Sequence, residues 1–354
     1  MANLPSFENR VRDRRLQSGW SQEELARRSG LSRAGISAIE TGRLIPSAAA
    51  ALALASAMEC RVEDLFNLRR TDVREPRWAW PPEREPCRYW AAEVGGSERL
   101  YPVAATPMGV IPHDGTYRNG SRNGAGRSDP RRTLVMACCD PAVGLLAAEL
   151  ARTADVRLIA LERTSRTSLT LLGQGLVHVA GVHMASADQP AGNAGVVRSE
   201  LGLGYCLLRA ARWEEGIAVT PSRRLSSVRA TLRSGVAWIG RERGSGARQC
   251  LDELLGPGRA APRRVASNHR GVAEAVKSGW ADAGVCLRLV SDEAGLDFLG
   301  VRQEAYDLCF PARWEDDIRI QALLNVIRSP SYRQALGELP GYDSVETGDL
   351  QHVN

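Results

Sequence analysis

The sequence predicts a multidomain chain, with a small all-α unit at the front and a larger two-lobed α/β domain behind it. Three observations lead there. Short amphipathic stretches with helix-start and helix-stop signals crowd residues 1–68. After Arg132, apolar runs of strand length alternate with stretches of helical period. Finally, 354 residues exceed what one hydrophobic core usually organises. The expected division is 1–68, a linker with a small β segment at 69–132, and 133–354.

The front unit follows from its punctuation. From Phe7 to Ser18 apolar and charged residues alternate at helical spacing, and Gly19 stops the run. Ser21 opens a second helix, with Glu24 three residues on as the partner of a capping box. Gly30 supplies a turn, and Ser32 caps a third helix that ends near Thr41 and Gly42. Pro46 and Ser47 open an alanine- and leucine-rich fourth helix, Ala48 to Met58, and Val62 to Phe66 forms a short fifth. Gly35, inside the third helix, costs it about 1 kcal/mol against a good helix former.

Over its length, VRDRRLQSGWSQEELARRSGLSRAGISAIETGRLIPS resembles the Cro/C1 (XRE) helix-turn-helix family. The resemblance implies binding to double-stranded DNA and a structural ion pair between Arg15 and Glu40. The N-terminus of the second helix, with Ser21 and Gln22, is then expected to meet a phosphate, because a helix N-terminus favours an anion. The third helix, opened by Ser32, is expected in the major groove with Arg33, Ala34, Ser37 and Ala38 toward base edges and Arg43 beside them. Arg33 either grips a guanine bidentately, worth roughly 1–3 kcal/mol of discrimination, or contacts a phosphate. Related heads bind as dimers, so a homodimer is expected.

Residues 69–132 change character. REPRWAWPPEREP is rich in proline, arginine and tryptophan, whereas HDGTYRNGSRNGAGRSDPRR is polar and glycine-rich, and both read as connectors. Between them, RYWAAEVGGSERLYPVAATPMGVIP has short apolar stretches with turn signals, the pattern of a small hairpin packed on a larger domain. Trp78, Trp80 and Trp90 either anchor the linker or form an aromatic surface.

Behind Arg132 the order is TLVMACC strand, PAVGLLAAELART helix, VRLIALE strand, SLTLLGQG helix and LVHVAGVHM strand. A second series follows: SGVAWIG strand, SGARQCLDELLG helix, RVAS strand, NHRGVAEAVKSGW helix and ADAGVCL strand. Alternation of this kind implies parallel strands with crossover helices, and YDLCF, Tyr306 to Phe310, is available to return the chain to the first lobe. Ligands of open α/β sheets sit at the carboxyl ends of strands. Three loops there stand out: Arg243 to Gly246 with Arg248 in the following turn, the hydroxyl-rich Thr164 to Ser168, and Cys139-Asp140-Pro141. Each reads either as plain helix capping or as a seat for an oxyanion.

Composition narrows the function. The net charge is +5, yet residues 134–354 carry 25 basic and 25 acidic side chains, so the whole excess lies in the first 133 residues, which fits a DNA-facing front end. Lys277 is the only lysine, so an individual arginine carries little functional information. Eight scattered cysteines contain no C-x-x-C pair, and the five histidines are dispersed, so local spacing suggests neither a zinc site, a disulfide framework nor a nucleophile with a nearby base. The opening MANLPSFENR is polar and charged, and the longest apolar run, Ala48 to Met58, is too short to cross a bilayer. A cytoplasmic protein without a membrane partner is expected.

CCDPAVGLLAAEL, RERGSGARQCLDELL, AVKSGWADAGV and YDLCFP, in that order, resemble the periplasmic-binding-protein-like, molybdate-binding-protein-like domain found fused to helix-turn-helix modules. The resemblance implies a type II two-lobed sensor domain over 133–354, with Asp140, Ser165, His183, Ser245, Gly246, Arg248, His269 and Tyr306 lining a cleft. Its implied effector is a small anion, either a molybdate or tungstate oxyanion or a molybdenum-cofactor-related molecule that would better accommodate Asp140. The expected function is ligand-responsive transcription regulation without catalysis. The alternatives are an enzyme of molybdenum cofactor metabolism with a DNA-binding appendage, and an interaction scaffold with a degenerate pocket.

Overall fold

The computed structural model describes residues 6–69, 77–124, 128–184, 192–257 and 260–354, and divides after Pro76 into two compact units. The expected boundary near residue 69 adjoins residues 70–76, which lie outside the described ones.

In the front unit, β1 (Ser6–Asn9) is followed by α1 (Val11–Gln17), α2 (Gln22–Ser29), α3 (Arg33–Glu40), α4 (Ala48–Ala57), α5 (Val62–Leu65) and β2 (Phe66–Arg69). The first helix starts four residues later than its periodicity suggests. Residues 6–9 pair instead with β2 in an antiparallel ribbon, Phe7 opposite Leu68, a long-range contact that helical spacing does not reveal. Val11, Leu25, Ile36 and Leu54, each wholly buried, come from four helices and form the core.

The back unit opens with four antiparallel strands, β3 (Cys87–Val94), β4 (Ser97–Pro102), β5 (Gly115–Arg118) and β6 (Ser121–Asn123), in the order β4-β3-β5-β6. The small hairpin expected inside the linker is therefore a sheet of its own, and it belongs to the back unit. Trp90 and Tyr101 join the core with Val135 and Ile159. Arg157 reaches the Asp114 carboxylate with two nitrogens, at 2.8 and 2.7 Å. Buried His178 completes the attachment: its Nδ1 accepts from Val135 N–H at 2.9 Å, which fixes the tautomer whose Nε2–H donates to Glu93 O at 2.9 Å.

Next come β7 (Thr133–Cys138), α6 (Val143–Ala154), β8 (Arg157–Glu162), α7 (Ser165–Gly173), β9 (Val179–Val182), α8 (Gly192–Leu201) and β10 (Tyr205–Val219). The second lobe holds α9 (Val228–Arg233), β11 (Trp238–Arg241), α10 (Gly246–Leu255), β12 (Arg264–Ala266), α11 (His269–Lys277), β13 (Ala283–Leu287) and α12 (Arg288–Ala294). The chain then returns through β14 (Asp297–Pro311) to α13 (Ile318–Arg328), α14 (Pro330–Gly337), β15 (Tyr342–Asp343) and β16 (Leu350–Val353).

One sheet, β12-β11-β13-β10-β14-β9-β7-β8, runs through both lobes. Its two ends are parallel, as alternating strands and helices require, and β7 is buried along its whole length. Its middle is antiparallel: β10 and β14, fifteen residues each, lie side by side across both lobes. Their register slips at Arg209/Ala211 and at Glu215/Gly216, and such bulges bend and twist a ribbon. Helices α6, α13 and α14 cover one face of the first lobe, while α7, α8 and the small sheet cover the other.

Burial, reinforced by the charge of Arg319, pushes the His178 imidazole down to about 3 from an ordinary 6.5. The unfolded chain therefore binds the proton first, and stability falls as pH drops from about 6.5 toward 3. Compared with wild type, His178→Gln should show a shallower loss of melting temperature over that window.

Candidate functional site

In the front unit, α2 and α3 form a helix-turn-helix pivoting on Gly30, whose φ of +69° suits glycine. Arg15 Nε and Nη2 donate to the two oxygens of Glu40 at 2.7 and 3.1 Å, and Nη1 donates to Trp20 O at 2.7 Å, so this largely buried pair clamps α1 to the end of α3. The Gln22 amide, expected at a phosphate, donates to Glu40 Oε2 at 2.9 Å. Ser21 and Ser32 cap their helices by accepting from Glu24 N–H and Gly35 N–H. Glu24 does not close the capping box with its side chain but binds Arg27 and Arg28, at 2.6 and 2.7 Å. Arg33 and Ala34 are exposed at the start of α3, Ser37 and Ala38 are half-buried one turn on, and exposed Arg43 donates to Thr41 Oγ1 at 3.1 Å.

In the back unit, the carboxyl ends of β7, β9, β11 and β12 meet over the crossing of β10 and β14. Here the structure gathers Asp140, Ser165, His183, Ser245, Gly246, His269 and Tyr306, all buried. Arg248 is placed differently: its Nε donates to Asp252 at 2.8 Å and its Nη1 to Arg241 O. Ser245 caps α10 through Arg248 N–H, and Ser165 Oγ accepts from His183 N–H at 3.2 Å. Asp140 Oδ1 accepts both from Tyr342 O–H at 2.6 Å and from Ala142 N–H at 2.9 Å, while burial raises its pKa.

His183 is the hub. Its Nε2 lies 2.9 Å from Cys139 Sγ, and its Nδ1 lies 3.0 Å from Glu304 Oε2. The same Glu304 oxygen accepts from Trp213 Nε1–H at 3.2 Å, and the other accepts from Arg302 at 2.6 Å. Burial opposes protonation of His183, but Cys139 and Glu304 outweigh it and raise the pKa well above its usual value. Burial likewise opposes ionisation of Glu304, and the His183 hydrogen bond reverses the balance. Glu215 behaves oppositely: burial and the neighbouring Glu304 charge push it up to about 8, although Arg302 lies 3.0 Å away. Arg302 is shared among three carboxylates, those of Glu304, Glu215 and, at 2.8 Å, the more exposed Glu253.

Among the described residues, several buried polar atoms here have no hydrogen-bond partner: both ring nitrogens of His269, Arg241 Nε and Nη1, Glu215 Oε1 and Tyr306 O–H. Burial and the Arg241 charge keep His269 neutral. Buried polar groups are normally satisfied, so such a concentration points to a ligand. Sequence reasoning missed Trp213, Glu215, Arg241, Arg302, Glu304 and Tyr342. It also found no metal-spaced set and no thiol beside a base, because Cys139, His183 and His269 meet only in the fold.

Closure depends on Gly246. A Cβ there would lie 2.3 Å from His183 O and 2.6 Å from its Nδ1, so only glycine lets α10 seat against the hub. Gly246→Ala should destabilise the back unit by about 1–3 kcal/mol in denaturant titrations. Gly144→Ala, where an added Cβ meets nothing within 4 Å, should instead be neutral or stabilising by up to about 1 kcal/mol.

Comparison with known proteins gives two family matches: a PBP superfamily domain over residues 147–328 and a helix-turn-helix over residues 11–65. The uncharacterized protein YvgK of Bacillus subtilis (strain 168) is 27% identical over 231 residues, covering 63% of this chain and 74% of its own length. The uncharacterized HTH-type transcriptional regulator YgzD of the same organism is 37% identical over 62 residues, covering 18% of this chain and 94% of its own. Among solved structures, PhnD1 from Prochlorococcus marinus (MIT 9301), in complex with methylphosphonate, is similar at 14% identity and a TM-score of 0.44. That match covers 61% of this chain and 93% of PhnD1.

Proposed function

The chain belongs to the PBP superfamily and carries a helix-turn-helix DNA-binding unit in front, and from that premise we propose that it is a ligand-responsive transcription regulator whose effector binds between the lobes. The observation that carries this reading is the set of unpartnered buried polar atoms on His269, Arg241 and Tyr306. Those of His269 and Arg241 lie beside each other at strand ends of the second lobe, facing His183 of the first, and a ligand there would satisfy them and favour the closed form.

We propose a small anion as effector, with molybdate and tungstate as the first candidates. Two unpartnered Arg241 nitrogens and the N-terminal turn of α11, nine residues long, favour negative charge. Asp140 opposes it less than a free carboxylate would, because burial raises its pKa and Oδ1 is taken by Tyr342 and Ala142. In this reading the chain acts in the cytoplasm as a homodimer, without catalysis, on half-sites about 34–36 Å apart. The enzyme reading draws on a different observation, the order Cys139, His183, Glu304, which aligns thiol, base and carboxylate.

Two measurements test the proposal. Affinity for operator-bearing DNA should fall by orders of magnitude between about 50 and 200 mM salt, and a flat response contradicts the DNA-binding role. Chelator-treated protein screened by thermal shift against molybdate, tungstate, sulfate and phosphate should respond to one above the rest. At about 100 times its dissociation constant that ion adds roughly 2.7 kcal/mol, and no response to any of them contradicts the oxyanion.

A further inference from the structure

We propose that Cys139, His183 and His269 form a binding site for a first-row divalent transition cation of the zinc type, which ties the two lobes together. The ligating atoms of these three residues lie within 4.8 Å of one another, and all three residues are buried. Cys139 and His183 follow β7 and β9 in the first lobe, whereas His269 opens α11 in the second. A zinc ion with a thiolate at about 2.3 Å and imidazoles at about 2.0–2.1 Å holds its ligands roughly 3.3–3.7 Å apart. Separation of Sγ from Nε2 by somewhat under an ångström beyond its present 2.9 Å reaches that spacing.

Two independent features point to a cation rather than to an ordinary buried cluster. His269 is 1% exposed, and neither of its ring nitrogens has a hydrogen-bond partner among the described residues. An imidazole whose ring nitrogens are buried without partners has a lone pair free for a metal. His183 turns Nε2 toward the cluster, where a cation would displace the proton it shares with Cys139 and release it to solvent, while Nδ1 faces Glu304, itself held by Trp213 and Arg302. This is the carboxylate–histidine support that orients metal-bound imidazoles and makes them more basic. A thiolate with two imidazoles suits zinc, cobalt, nickel or copper and excludes calcium and magnesium. Three protein ligands leave one tetrahedral position for water or an anion. The site goes beyond the effector reading and stands without it.

The test is titration of the full-length, reduced, chelator-treated chain with cobalt(II), followed by zinc. One equivalent of cobalt should produce a thiolate-to-cobalt charge-transfer band in the near ultraviolet and the visible bands of a tetrahedral ion, both abolished by zinc. Cys139→Ser should remove the charge-transfer band, His269→Ala should weaken binding severely, and Glu304→Gln should weaken it about 10- to 100-fold. His352→Ala, in the second cluster of Cys206, Glu315 and His352, should change nothing. No band in the wild-type chain, a band that survives Cys139→Ser, or one lost in His352→Ala overturns the proposal. Should the cysteine variant fail to fold, zinc should slow alkylation of Cys139 in the wild-type chain, and equal rates overturn the site. An oxyanion shift without a cobalt band overturns this site alone, whereas a cobalt band without an oxyanion shift supports it and counts against the oxyanion.

Discussion

His183 is the residue around which the back unit closes. Its ring stands between Cys139 and Glu304, and its backbone oxygen presses against Gly246 of the opposite lobe. Every neighbour it touches comes from a different part of the chain. A buried imidazole held between a thiol and a carboxylate is expensive in free energy, because desolvation of each charged form opposes folding unless geometry and pairing offset it. The fold meets that cost with a shared guanidinium from Arg302 and with the indole N–H of Trp213. What remains unsatisfied is the side facing His269 and Arg241.

The long pair β10 and β14 explains how so many polar groups arrive in one place. Trp213 and Glu215 lie on one strand, Glu304 and Tyr306 on the other, at the crossing from first lobe to second. Tyr306 stacks on Trp213 with ring centroids 4.3 Å apart, an aromatic floor under the cluster. The bulge at Glu215/Gly216 lies at this crossing, so the floor of the cleft coincides with the bend of the ribbon.

Much of this was legible in the residues alone. Strand and helix alternation after Arg132 marks both parallel ends of the sheet, and Ser21, Gly30 and Ser32 mark the helix-turn-helix to within a residue or two. The ribbon at the heart of the back unit was not legible over YCLLRAARWEEGIAV, because arginine, tryptophan and glutamate there mimic a solvated segment until their charges are paired with the neighbouring strand β14. Helical spacing likewise concealed the strand at Ser6–Asn9, whose partner lies sixty residues away. In the candidate site, Ser245 was visible through capping chemistry, whereas Asp140, expected to cap the next helix, lies two residues before the α6 N-cap Ala142 and binds Tyr342 and Ala142 instead. The hub was not, since Cys139, His183 and His269 lie 44 and 86 residues apart.

If the unpartnered groups exist for a ligand, the protein without one is less stable than it needs to be. The most direct measurement is equilibrium unfolding of an Arg241→Met, His269→Leu variant in the absence of added ligand. Apolar replacement of buried, unsatisfied polar groups should raise stability, by about 1–4 kcal/mol, while abolishing any effector response. A clear loss of stability would contradict the account, because it would make the two side chains ordinary parts of the core.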